Sequence, residues 1–206
     1  FNQEHSIHAD VTVIPMGGWK REMFFKDTGL NWVAPSPNLP TPASALVYPG
    51  QVIFEGTNIS EGRGTTQPFE FLGAPFINPS PIVEDIGQDI SGVHLRSICF
   101  EPTSGKWAGQ CCRGFQIHVT DSLQFKPYRT ALLLLQQIIK RHKDDFRWKE
   151  PPYEYEFHKS PMDLILGSPT LKQRIADQEP MEDLEQAWGQ ELLEFKQTKQ
   201  QYHLYK

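Results

Sequence analysis

Four prolines, Pro35, Pro37, Pro40 and Pro42, fall within eight residues in the first quarter of the chain. Each fixes φ and lacks an amide N–H, so the run cannot lie inside a helix or pair within a sheet. It reads as a linker or as a rigid, extended site loop. A domain boundary is expected here, dividing residues 1–44 from residues 45–206. On the amino-terminal side, Asp10–Pro15 reads as a short buried strand and Trp19–Lys26 as a helical stretch. On the other side, Ala45–Tyr48 and Gln51–Phe54 read as strand-like apolar runs separated by the turn signal Pro49-Gly50.

Further strands are expected at Val93–Phe100 and Phe115–Thr120, which are β-branched or aromatic in part. Helices gather in the second half. Tyr128–His142 carries Leu132, Leu135, Ile138 and Ile139 on one face, with Pro127 suited to its first turn. Ser168 is placed to cap a short helix through Ile175. The last helix, Met181 to about Gln201, repeats Leu184, Trp188, Leu192 and Phe195 as a core-facing stripe. The fold class that follows is α+β, a small mixed sheet with flanking helices.

Charge excludes some partners. The 206 residues hold 25 acidic and 20 basic side chains, a net charge of −5. Proteins built to grip duplex nucleic acid usually carry a basic face, so no nucleic acid is expected. The longest strictly apolar run, Ala131–Leu135, is far short of the roughly 18 residues of a membrane span. Cys99, Cys111 and Cys112 are odd in number and lack zinc-ligand spacing, so neither a disulfide framework nor a metal is expected. They read as small buried thiols of a sheet. The chain opens at Phe1 in polar text, Asn2-Gln3-Glu4-His5, and reads as cut from something longer.

Chemistry concentrates between Glu55 and Thr66. This segment holds two carboxylates, a guanidinium, an amide, four hydroxyls and three glycines. Glycines at 56, 62 and 64 allow positive φ and close backbone approach to a ligand. Asn58 and Arg63 offer directional donors, and Arg63 can grip a carboxylate through two N–H groups. Glu55 and Glu61 can hold sugar hydroxyls or transfer protons. A solvated loop in which Arg63 pairs with Glu61 explains the same composition. The pattern is not a phosphate-binding loop, because no Gly-Lys-Ser/Thr follows at the required spacing. Glu101, at a strand end, can present a carboxylate at a sheet edge, and His118 reads as a hydrogen-bonded structural histidine.

Several words of the sequence together resemble the exo-β-N-acetylmuramidase (NamZ) family. They are Pro35-Ser36-Pro37-Asn38, Val47-Tyr48-Pro49-Gly50, the run from Phe54 to Thr66, Pro68-Phe69-Glu70 and Gly73-Ala74-Pro75. Phe100-Glu101-Pro102-Thr103, Gln116–Asp121 and Phe146-Arg147-Trp148 extend the match in collinear order over the whole chain.

The resemblance implies a bacterial cell-wall glycosidase that removes terminal N-acetylmuramic acid from peptidoglycan fragments, with no cofactor. It implies a Rossmann-like amino-terminal domain, of which residues 1–44 would be the tail, and a smaller α+β carboxy-terminal domain with a cleft between them. The family's Glu-His-Gly motif, associated with its catalytic carboxylate, has no counterpart in these residues. The main acid is therefore expected from the amino-terminal domain of the same enzyme, and this chain alone is expected to be inactive. Glu61 and Glu55 remain candidates for a second carboxylate. Ser36, Asn38, Asn58, Ser60, Arg63, Gly64, Thr65 and Thr66 are the substrate-binding candidates, Arg63 for the lactyl carboxylate. Peptidoglycan as substrate implies a periplasmic or secreted protein. The rival reading is a non-catalytic carbohydrate-binding module.

Overall fold

The computed structural model describes residues 1–205, which fall into two compact units. One comprises Trp32–Gly189; the other joins Phe1–Asn31 to the end of the chain from Gln190. The larger unit is built on a three-stranded sheet of β1 (Phe71–Ala74), β2 (Val93–Phe100) and β3 (Cys112–Val119), in the order β1-β3-β2. Every pairing is antiparallel, where a mixed sheet was expected. The expected α+β class, a small sheet with flanking helices, is the class observed.

Among the described residues the α-helices are α1 (Pro42–Gln51), α2 (Ser80–Ile86), α3 (Pro127–Arg141), α4 (Pro161–Leu166), α5 (Pro169–Ala176) and α6 (Met181–Gln200), the last running on past Gly189, where the larger unit ends. Helix α3 is the core's main column. Leu132, Leu134, Leu135 and Ile138 are fully buried, and Lys140 and Arg141 close the helix at its negative end. It packs against α1, α2 and α5. Phe54, Leu72 and Phe115, also fully buried, fill the space between helices and sheet. Ser168 caps α5, its hydroxyl accepting from the Leu171 amide at 3.3 Å.

Several other expectations fail. Residues 45–54 form no strand: α1 covers most of them and a 3₁₀ stretch, Val52–Gly56, follows. The helix is started by a capping box in which Thr41 accepts from the Ser44 amide at 3.0 Å, with Pro42 in the first turn. Short apolar runs do not distinguish a buried helix from a strand, and here the cap decides. Asp10–Pro15 makes no strand either; Val11, Val13 and Ile14 are exposed, and Trp19–Lys26 contributes only to a 3₁₀ turn at Phe25–Thr28. Finally, the α6 stripe divides. Leu184 is buried and Trp188 packs edge-on to Tyr128, whereas Leu192 and Phe195 are exposed.

Of the three thiols expected to be buried, only Cys112 is; Cys99 and Cys111 are exposed, and all three are free. No helix among the described residues is long and apolar enough to cross a membrane.

Candidate functional site

The polar segment Glu55–Thr66 runs from the 3₁₀ stretch towards β1 and is tied to the sheet at its middle. Ser60 exchanges two backbone hydrogen bonds with Gly73, at 2.8 and 2.9 Å, and the Phe69 amide donates to the Glu61 carbonyl at 2.7 Å. With Ser60 almost fully buried and its hydroxyl accepting from the Gly62 amide, that side chain is part of the fold.

Asn58 likewise faces the protein. Its amide donates to the Asp145 carbonyl and accepts from the Arg147 N–H, while the Trp107 indole donates to its main-chain oxygen at 2.6 Å. Of the expected ligand-binding residues, Asn58 and Ser60 therefore join segments together instead of lining a cavity.

The two candidate carboxylates are engaged through both oxygens. Glu55 Oε1 lies 2.5 Å from Arg63 Nη2, and its Oε2 accepts from the Tyr153 hydroxyl at 2.8 Å. Glu61 Oε1 lies 3.1 Å from Arg63 Nε, and its Oε2 lies 2.9 Å from Lys106 Nζ. Lys106 completes its valence on the carbonyls of Phe54 and Ile59, at 2.7 and 2.9 Å. Two anions and two cations are thus interleaved, and Glu61 is only 4% exposed.

The electrostatics follow from burial and pairing. Burial opposes the Arg63 charge, but Glu55 and Glu61 outweigh it and raise the guanidinium above its ordinary value. Burial pushes the Lys106 ammonium below its ordinary value despite Glu61, and burial together with Glu55 raises the Tyr153 phenol. Arg63 also lies 5.1 Å over the Phe69 ring, against which Tyr48 packs edge-on. The cation proposed by its position to meet a sugar carboxylate is held by two protein carboxylates.

The other half of the segment opens onto a cleft of about 620 Å³. Asn38, Gly64, Thr65 and Thr66 line it, together with the rings of Phe71 and Phe100. Ser36 does not line it; its hydroxyl accepts from the Asn38 amide at 3.3 Å and so sets that turn. Gly64 has φ +80°, and an added Cβ would lie 2.4 Å from the Ser104 carbonyl oxygen. That closeness lets Thr103 bind the Gly64 carbonyl through both its amide and its hydroxyl, each at 2.8 Å. Thr65 is braced too, donating to the Gly62 carbonyl at 2.6 Å.

Phe71 and Phe100 meet with ring centres 5.5 Å apart. Gly73 makes room for them, since a Cβ there would stand 2.9 Å from the Phe100 ring. Glu101, Thr103 and Ser104 also line the cleft, with Thr103 and Ser104 directly against Gly64. Residue spacing alone did not single out the two phenylalanines as cleft residues, because only the strand pairing brings them to one face.

The cleft brings together two aromatic side chains, several hydroxyl groups and one carboxylate. Among the described residues no group of three or more His, Cys, Asp or Glu is gathered to hold a metal ion.

The family comparisons agree with these words of sequence. The model described as "Exo-beta-N-acetylmuramidase NamZ, C-terminal" matches residues 46–205, and "Exo-beta-N-acetylmuramidase NamZ, N-terminal" matches residues 1–43. Peptidoglycan beta-N-acetylmuramidase NamZ of Bacillus subtilis (strain 168) is 38% identical over 206 residues, 100% of this chain. Those residues are 48% of that relative, so the chain spans about half its length. A crystal structure of a DUF1343 family protein from Bacteroides fragilis NCTC 9343 superposes with a TM-score of 0.78 at 26% identity, covering 92% of this chain and 49% of that one. A second DUF1343 protein of the same organism, 21% identical with a TM-score of 0.64, shares the fold over 96% of this chain and 49% of its own. The chain belongs to the exo-β-N-acetylmuramidase NamZ family.

Proposed function

We propose that this chain forms one wall of the substrate cleft of an exo-acting β-N-acetylmuramidase that releases terminal N-acetylmuramic acid from peptidoglycan fragments. The observation that carries the reading is the cleft between Asn38, Gly64–Thr66 and the Phe71–Phe100 pair. A pyranose presents an apolar C–H face and a rim of hydroxyls, which suits an aromatic floor with polar walls. The hydroxyls of Thr65 and Thr66 and the amide of Asn38 orient the sugar, and the floor excludes water from its underside.

The bond-breaking acid comes from the amino-terminal domain of the same enzyme. Glu55 and Glu61 keep the glycine-bearing segment in shape, since each carboxylate already has a partner on both oxygens. A glycosidase usually needs two carboxyl groups flanking the scissile bond, and here both oxygens of each glutamate are already occupied by protein donors. A substrate of this kind places the enzyme in the periplasm or outside the cell.

The test is product analysis with the full-length enzyme. A disaccharide with N-acetylmuramic acid at its non-reducing end should release that sugar, and the disaccharide of reversed order should survive intact. Binding of both disaccharides without cleavage of either identifies the chain as a carbohydrate-binding module instead.

A further inference from the structure

We infer that Glu101 is the carboxylate through which this chain meets its sugar, accepting hydrogen bonds from hydroxyl or amide N–H groups of an N-acetylamino sugar. The inference rests on the carbohydrate reading of the cleft and goes beyond it by assigning the residue. Three other carboxylates lie near the cleft-forming segments, and all are engaged. Glu55 and Glu61 are bound as described, and Glu70, also nearly buried, accepts from the Thr41 hydroxyl at 2.9 Å. Glu101 differs on each count: it lines the cleft, it is exposed, and its side chain has no hydrogen bond or ion pair among the described residues.

Its mount is rigid although its side chain is free. Phe100 before it is buried against Phe71, and Pro102 after it is buried and fixes φ, restricting the backbone of Glu101 itself. The Pro102 carbonyl accepts from the Gly109 amide at 2.9 Å, and Thr103 is bound twice to the Gly64 carbonyl beside it. An acceptor held this way loses little backbone freedom when a ligand arrives. A carboxylate open to water on the rim is suited to accepting hydroxyl hydrogen bonds and lacks the apolar enclosure that makes a glycosidase acid. The assigned role is therefore binding, with no proton transferred.

Glu101→Gln in the full-length enzyme tests this, with turnover of a muraminide measured across substrate concentration. The expected result is a rise in KM of about 10-fold with kcat within about 3-fold, the signature of a lost charge-assisted contact made equally in ground and transition states. An unchanged KM overturns the inference. A collapse of kcat at constant KM also overturns it, by assigning Glu101 to proton transfer. Wild-type enzyme that turns over no muraminide would defeat the proposed function. The Glu101 carboxyl carbon signal, followed by NMR during titration with N-acetylglucosamine and with N-acetylmuramic acid, then decides alone: movement with saturation upholds the sugar contact, and a silent signal ends it.

Discussion

Lys106 Nζ reaches back over 45 residues to lie 2.9 Å from Glu61 Oε2, and it caps the carbonyls of Phe54 and Ile59 as it does so. One ammonium thereby ties the turn at Gly105 to both ends of the segment that precedes the cleft. Removing it takes a donor from one oxygen of a nearly buried carboxylate and from the Ile59 carbonyl, while Arg63 stays on the other Glu61 oxygen and Thr57 on the Phe54 carbonyl. Lys106→Ala should lose about 1–3 kcal/mol in urea unfolding, the usual cost of leaving buried acceptors without a donor. Glu61→Gln should be milder, because the amide keeps an acceptor for one of the two cations.

Arg63→Ala separates a structural from a recognition role. With its guanidinium on Glu55 and Glu61, the substitution should weaken binding of N-acetylmuramic acid and N-acetylglucosamine by the same factor and lower thermal stability at the same time. Calorimetric titration with both sugars reads this. A loss confined to the muramic sugar, about 10-fold or more, would return Arg63 to the lactyl-recognition role.

Two neighbouring glycines should respond differently to alanine. Gly64 and Gly105 have φ +80° and +78°, so either substitution should cost about 1–2 kcal/mol from backbone strain. At Gly105 the nearest atom to a new Cβ is 3.9 Å away, whereas at Gly64 the Ser104 backbone stands within 2.6 Å. Gly64→Ala should therefore cost roughly 1–3 kcal/mol more and abolish sugar binding, while Gly105→Ala keeps it. Denaturation midpoints and a sugar titration check both.

Part of this was legible from the residues. The β-branched and aromatic content of Val93–Phe100 and the apolar face of Leu132, Leu135 and Ile138 mark β2 and α3, of 8 and 15 residues. Helices α2 and α4, of 7 and 6 residues, are too short to do so, and their prolines read as breakers although they occupy first-turn positions where no N–H is required. The segment Glu55–Thr66 announces itself by composition, but the division of labour within it does not. Glu55 and Glu61 depend on Tyr153 and Lys106, which lie 98 and 45 residues away and bear no spacing relation to them. The Phe71–Phe100 floor depends on strand register for the same reason.

Cys112 gives the fold a pH signature. Burial pushes its thiol up to about 11 from an ordinary 9.0. Above pH 9 the unfolded chain releases this proton while the folded chain keeps it, so folding stability should fall between about pH 9 and 11. The full contribution is present below pH 9 and is lost progressively as the pH rises through about 11. Urea midpoints at pH 8 and pH 10.5 should diverge in the wild type and diverge less in Cys112→Ala, in which this linkage is absent.

The central claim is that this chain shapes and binds one side of the cleft while the cleaving carboxyl group is supplied by the amino-terminal domain. The most direct measurement is turnover of a chromogenic N-acetylmuraminide by the 206-residue chain alone, by the amino-terminal domain alone and by the two combined. The account predicts release of chromophore at the background rate for either part by itself and well above it for the combination. Turnover by this chain alone, abolished by Glu61→Gln or Glu55→Gln in protein that remains folded, would contradict it.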